Sequence, residues 1–220
     1  HDKAIRNALN TTDINVLATN ADKIAMPETS FSDRVVTKGI TNQKKSGRCW
    51  LFTGLNVLRA AAIQKYDLGD FQFSQSYCFF YDQLEKANLF LQAVIDTREK
   101  PMSDREVDWL FSNPIGDGGT FTGVANLVTK YGLVPADVMP ESYIANSTSQ
   151  MSAQLRTLLR QDGLKLRETP SGVKKKDMGA YLQGLKEEML GEVYRILALC
   201  LGEPPAYFEW QGKTVTPVQF

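Results

Sequence analysis

Apolar side chains recur at helical spacing through most of this 220-residue chain, and the breaks between those runs mark out its elements. From Gly47 to about Tyr66, Leu51, Leu55, Leu58 and Ala62 fall on one face, and Ala60, Ala61 and Ala62 raise helix propensity. This predicts a central, largely buried helix in a region ended by Gly69. Ser74 is placed to cap a second long helix through Cys78, Phe79, Leu84, Leu89 and Val94. Ser103-Asp104-Arg105-Glu106 has the spacing of a capping box, starting a short helix that Asn113-Pro114 stops. Further helices are expected from about Thr122 to a closing Gly132, and from about Ser147 to Gln161 with Gly163 as terminator. The longest runs from about Lys176 to Leu201, with Leu182, Leu185, Met189, Val193 and Ile196 on one face and Gly202 and Pro204-Pro205 as its stop.

Strand signals lie only at the margins. Val35 to Ile40 reads as a short strand, and Tyr207-Phe208-Glu209-Trp210 with Thr214-Val215 reads as a hairpin around Gln211-Gly212. Residues 1 to about 25 form a weakly amphipathic helical arm that leads through Pro27 into a loop. The chain opens without methionine and ends inside an expected strand at Thr216-Pro217-Val218-Gln219-Phe220, so the expectation is a segment of a longer protein.

Composition removes several classes of function. Lys and Arg number 25 and Asp and Glu 25, which leaves no broad basic surface for nucleic acid and no acidic tail. Lys174-Lys175-Lys176 is short and reads as a solvated helix start. No apolar run reaches the roughly 18 residues that span a membrane, and no signal-peptide pattern opens the chain. Three widely spaced cysteines, Cys49, Cys78 and Cys200, make a poor disulfide framework and fit a reducing compartment, hence the cytoplasm. One histidine and scattered cysteines give no metal-ligand cluster, Gly116-Asp117-Gly118-Gly119 lacks the lysine of a phosphate loop, and no cofactor is implied.

The chemistry concentrates where Gln43-Lys44-Lys45-Ser46-Gly47-Arg48-Cys49-Trp50 passes from loop into helix. A thiolate is a good nucleophile, and the free N–H groups and dipole of a helix N-terminus stabilise it. Cys49 occupies that position, whereas Cys78 and Cys200 sit inside apolar helical runs and read as core. Gln43 lies six residues earlier and offers a side-chain amide for an oxyanion, beside the N–H of Cys49.

This run resembles the papain-like cysteine peptidases, and within them bleomycin hydrolase and bacterial aminopeptidase C. Phe73-Ser74-Gln75-Ser76-Tyr77, Asp117-Gly118-Gly119 and, more weakly, Cys200-Leu201-Gly202-Glu203-Pro204-Pro205 with Trp210 extend the resemblance in the family's order. It implies an α+β papain-like fold, with residues 1–220 supplying mainly the helical lobe behind an arm at 1–34, and most of the β lobe beyond Phe220. It implies Cys49 as nucleophile, Gln43 as oxyanion donor, Trp50 packed beside the catalytic pair, and Gly118 and Gly119 lining the substrate cleft, with Asp117 at its rim. Secreted relatives keep a disulfide cysteine three residues before the nucleophile; Ser46 stands there instead. The family's catalytic histidine and asparagine lie well downstream, and the only histidine here is His1, so these residues alone are expected to lack the base.

The resemblance further implies aminopeptidase action on peptides through a thioester, and homohexamers whose sites face an internal channel. The DNA binding of some members finds no support in these residues. Two other readings stand beside it. One is a different thiol acyl-transfer enzyme, such as a transglutaminase or amidase; the other is a non-catalytic fragment or degenerate peptidase acting as a binding or assembly module.

Overall fold

A computed structural model describes residues 2–24, 30–33, 35, 38–168 and 170–220, and the chain divides into two compact units, 1–36 and 37–220. In the first unit the expected arm is broken into three short helices, α1 (Asp2–Thr11), α2 (Ile14–Ala18) and α3 (Ala21–Ile24), none of which buries a residue. The Asp13 carboxylate accepts from the Asn15 N–H and so caps α2, restarting the helix where Thr11-Thr12 ends α1. The strand expected at Val35–Ile40 falls partly outside the described residues, at 36 and 37; Val35, Lys38, Gly39 and Ile40 are not in a strand.

The second unit is built on α4 (Cys49–Tyr66) and α5 (Gln75–Asp96). The α4 helix ends at Tyr66, before Gly69, because Asp67 turns left-handed at φ 48° and its N–H bonds to Ile63 O. Ser74 caps α5 as its position suggests, accepting from the Tyr77 N–H at 3.0 Å. The core of α5 is Tyr77, Cys78, Phe79, Phe80, Leu91 and Val94, all buried. Around it pack α6 (Arg105–Ser112), α7 (Phe121–Tyr131), α8 (Ser149–Arg167) and α9 (Met178–Leu201), with α5 touching each of them. Among the described residues no helix is long and apolar enough to cross a membrane.

Two helix boundaries differ from the sequence pattern for identifiable reasons. Asp104, rather than Ser103, caps α6, its carboxylate accepting from the Glu106 N–H at 2.9 Å. Gly163 does not end α8, which continues to Arg167. A Cβ there would stand 3.0 Å from the Phe111 ring and 3.2 Å from Phe90, so this glycine makes room for aromatic packing rather than marking a stop.

Among the described residues the strands form a single antiparallel hairpin, β1 (Phe208–Trp210) with β2 (Lys213–Val215), in the register Phe208 to Val215. Gln211 and Gly212 both have positive φ, 49° and 76°, the conformation of a tight two-residue hairpin turn. Phe208 and Trp210 pack with Phe71, Phe73 and Phe220 in an aromatic cluster. Gly132 closes α7 at φ 76° and lets Pro217 approach; its neighbour Leu133 donates an N–H to Pro217 O at 2.9 Å. The described residues are thus mainly helical with one small antiparallel sheet, as expected of a helical lobe.

Helices α4 and α7 pack tightly at Gly54. A Cβ on Gly54 of α4 would lie 2.7 Å from Val124 Cγ2 of α7. Gly54→Ala adds a helix-propensity gain of about 1 kcal/mol, but overpacking a filled core costs about 1–3 kcal/mol. The variant is expected to unfold at lower urea than the parent, and Val124→Ala in the same chain to recover part of the loss. Equal or higher stability of Gly54→Ala alone would contradict this packing.

Candidate active site

The loop before α4 is a turn closed on itself. Lys44 takes the left-handed conformation, φ 53°, with its N–H held by Asn42 Oδ1 at 2.8 Å. That turn lets Gln43 and Ser46 bond reciprocally: Gln43 Nε2 donates to Ser46 O at 2.6 Å, and Ser46 Oγ donates to Gln43 O at 2.7 Å. The loop is pinned to its neighbours by backbone as well. The Lys45 N–H reaches Asn146 O at 3.0 Å, and the Gly47 N–H reaches Asp117 Oδ2 at 3.1 Å.

Arg48 is the anchor. Its guanidinium is fully buried and forms a bidentate pair with Glu141, at 3.0 and 2.7 Å. It also donates to Ala145 O at 2.7 Å and to Ser46 Oγ at 2.8 Å, and lies over the Phe52 and Phe79 rings at 5.0 and 5.2 Å. Ser76, in the first turn of α5, donates its hydroxyl to the same Glu141 carboxylate at 2.8 Å. A planar fork matching a carboxylate suits arginine and not lysine.

Arg48 is also the N-cap of α4, its carbonyl receiving the N–H groups of Leu51 and Phe52. Cys49 is therefore the first helical residue, and its side chain is exposed. Its backbone N–H makes no hydrogen bond among the described residues, as expected of the first turn of a helix. Thiol, unengaged N–H and Gln43 amide thus belong to one short, doubly anchored segment. Such an assembly can attack a carbonyl carbon and receive the charge that develops on its oxygen.

Trp50 packs against the glycine run. Its indole Nε1–H donates to Asp117 O at 2.7 Å, and a Cβ on Gly119 would stand 2.5 Å from its Cε2. Gly119 is glycine because the indole lies flush against it, whereas nothing crowds a Cβ at Gly118. Both glycines are exposed. Lys86 of α5 ties the run down, donating to Gly116 O at 3.0 Å, to Gly118 O and to Asp82 at 2.6 Å, and lying 5.4 Å from the Trp50 ring. Burial pushes the Asp82 carboxyl up from its ordinary range, an effect that the Lys86 ammonium opposes.

Asp117, expected at a cleft rim, has its carboxylate engaged from three sides by the Gly47 N–H and the Thr148 and Ser152 hydroxyls. It is a structural tie between the loop and the start of α8. The other cysteines are core: burial pushes the Cys78 thiol up to about 12, and Cys200 is also raised by burial. His1 lies outside the described residues. Among the described residues no group of three or more histidine, cysteine or acidic side chains is placed to hold a metal ion.

Arg48, Glu141, Ser46 and Lys86 escape a reading of the sequence as site-organising residues. Arg48 carries the one usable signal, a charged residue at the mouth of the apolar run Cys49-Trp50-Leu51-Phe52. Glu141 and Lys86, 93 residues after Arg48 and on a helix surface respectively, carry none.

Against known proteins, the profile of the Peptidase C1-like family matches residues 1–214. Aminopeptidase C of Lactobacillus helveticus is 40% identical over 200 residues, which is 86% of this chain and 44% of that protein. Bleomycin hydrolase of Gallus gallus is 39% identical over 196 residues, 83% of this chain and 42% of the relative. The crystal structure of PepW from Lactobacillus rhamnosis HN001 superposes with a TM-score of 0.86 at 36% identity, covering 99% of this chain and 50% of that one. The chain spans less than half the length of the curated relatives named here.

Two predictions follow from this geometry. Removing one partner of a buried ion pair costs about 3–5 kcal/mol, so Arg48→Met is expected to lower the urea midpoint sharply. Arg48→Met with Glu141→Met should lose less than the sum of the single losses; strict additivity would show that the pair is not coupled. With iodoacetamide at pH 8, peptide mapping should find Cys49 alkylated first, because Cys78, pushed up to about 12, stays a buried thiol. Labelling of Cys78 ahead of Cys49 in the folded protein would contradict this.

Proposed function

The chain belongs to the Peptidase C1-like family, and on that premise we propose that it carries the nucleophile-bearing part of a cysteine aminopeptidase of the bleomycin hydrolase type. The observation that carries this reading is Cys49: an exposed thiol at the first residue of α4, with an unengaged backbone N–H, following the loop that holds the Gln43 amide. The Cys49 sulfur forms a bond to the peptide carbonyl carbon, and the oxyanion is received by the Cys49 N–H and Gln43 Nε2. Collapse breaks the C–N bond, the departing amine takes a proton from an imidazolium, and a thioester remains. Water then cleaves the thioester, returning the thiol and releasing the carboxylic acid. The imidazole comes from outside the described residues. Gly118 and Gly119 offer backbone groups to an extended peptide, and Trp50 shields the catalytic pair. The relatives named aminopeptidase C support release of N-terminal residues over internal cleavage.

The sole histidine, His1, is the specific observation behind a second reading, in which the chain is a non-catalytic binding or assembly module. The two readings separate on an aminoacyl fluorogenic amide and on a papain-type epoxide inhibitor. On the first reading the enzyme is labelled at Cys49, Cys49→Ala abolishes turnover and labelling, and Gln43→Ala lowers kcat by about 100- to 1,000-fold. Absence of both turnover and labelling in the folded, active-length protein would decide for the module.

A further inference from the structure

We propose that Ser46 is a positioning residue for the oxyanion donor, holding the Gln43 carboxamide with its nitrogen as the end presented to Ser46 O, under the direction of Arg48. The inference rests on the reading of Gln43 and Cys49 given above and adds what makes that donor available.

Arg48 Nε lies 2.8 Å from Ser46 Oγ, and a guanidinium has no lone pair to offer, so the serine oxygen accepts there. The single hydroxyl proton of Ser46 is left to donate, and Gln43 O stands 2.7 Å away to take it. Arg48 itself cannot turn, because Glu141 and Ala145 O hold both ends of the guanidinium. The orientation of the Ser46 hydroxyl, and through it the position of the Gln43 backbone, is thus fixed by a buried arginine that touches neither reacting group.

The second half concerns the carboxamide. A glutamine amide has a donor end and an acceptor end of nearly equal size, and in an open loop either could face forward. Here one end lies 2.6 Å from the Ser46 carbonyl oxygen. A carbonyl only accepts, so the Gln43 oxygen placed there would set two acceptors against each other, and the nitrogen is selected. One N–H is spent on Ser46 O; the other remains for an oxyanion. The half-buried loop has no other group bonded to this amide among the described residues. Ser46 therefore uses its carbonyl to choose the amide's orientation and its hydroxyl to hold that carbonyl in place.

The test uses the active enzyme at its full length, with kcat and KM on an aminoacyl fluorogenic amide and a parallel unfolding midpoint. Ser46→Ala is expected to lower kcat roughly 10- to 100-fold, the scale of a small misplacement of a catalytic group, with KM within about twofold. Ser46→Thr, which keeps the hydroxyl, should restore most of kcat. Because Ser46 acts through Gln43, Ser46→Ala added to Gln43→Ala should cost little beyond Gln43→Ala alone. Multiplicative losses in the double variant, a loss confined to KM, or an unchanged kcat in Ser46→Ala would each overturn the proposal. If Gln43→Ala itself left kcat intact, the underlying reading of the oxyanion donor would fall instead, and the two failures are told apart by that single variant.

Discussion

A guanidinium with no exposure to water is the constraint on which the active-site segment depends. Dehydrating the Arg48 guanidinium costs several kcal/mol unless the lost hydration is replaced group by group. Four of its five N–H groups are matched, to Glu141 twice, to Ala145 O and to Ser46 Oγ, and two aromatic rings cover its faces. The partners come from separate parts of the chain: the loop at 46, the segment at 141–145, and, through Ser76 on Glu141, the start of α5. None of these can shift without exposing a charge in the interior, so the residue before Cys49 is among the least movable points of the fold.

The same logic runs through the second wall. Trp50 follows Cys49 in α4, so its indole is carried wherever Arg48 sets the helix, and it lies against Gly119 with no room for a side chain. Asp117 holds the Gly47 N–H with its carboxylate and the indole N–H with its carbonyl, so one residue spans both walls. Lys86 gathers the carbonyls of Gly116 and Gly118. The loop before α4 and the glycine run are thereby fixed relative to each other.

The sequence carries the helices well because their signals are local. Ser74, Gly132, Gly202 and the Gln211-Gly212 turn each act within a few residues of where they stand, and the structure uses all of them as caps or turns. The pattern misleads at Gly163, where tertiary contact outweighs local preference: its missing side chain serves Phe111 and Phe90. In the site, the place of Cys49 at the start of a helix is legible because the loop-to-helix pattern around it is local. Glu141 was not, since a carboxylate after a proline looks solvated until the fold brings it against Arg48. The engagement of Asp117 is equally non-local: its three donors come from residues 47, 148 and 152.

If the Arg48–Glu141 pair organises the loop, the loop should lose its order when the pair is broken while the helical core keeps its own. Residue-level hydrogen exchange on the protein and on Glu141→Gln measures this directly. The Lys45 and Gly47 amides, bonded to Asn146 O and Asp117 Oδ2, are expected to be protected in the parent and to exchange far faster in the variant, with α5 and α9 amides unchanged. Equal protection of Lys45 and Gly47 in both proteins would contradict the account.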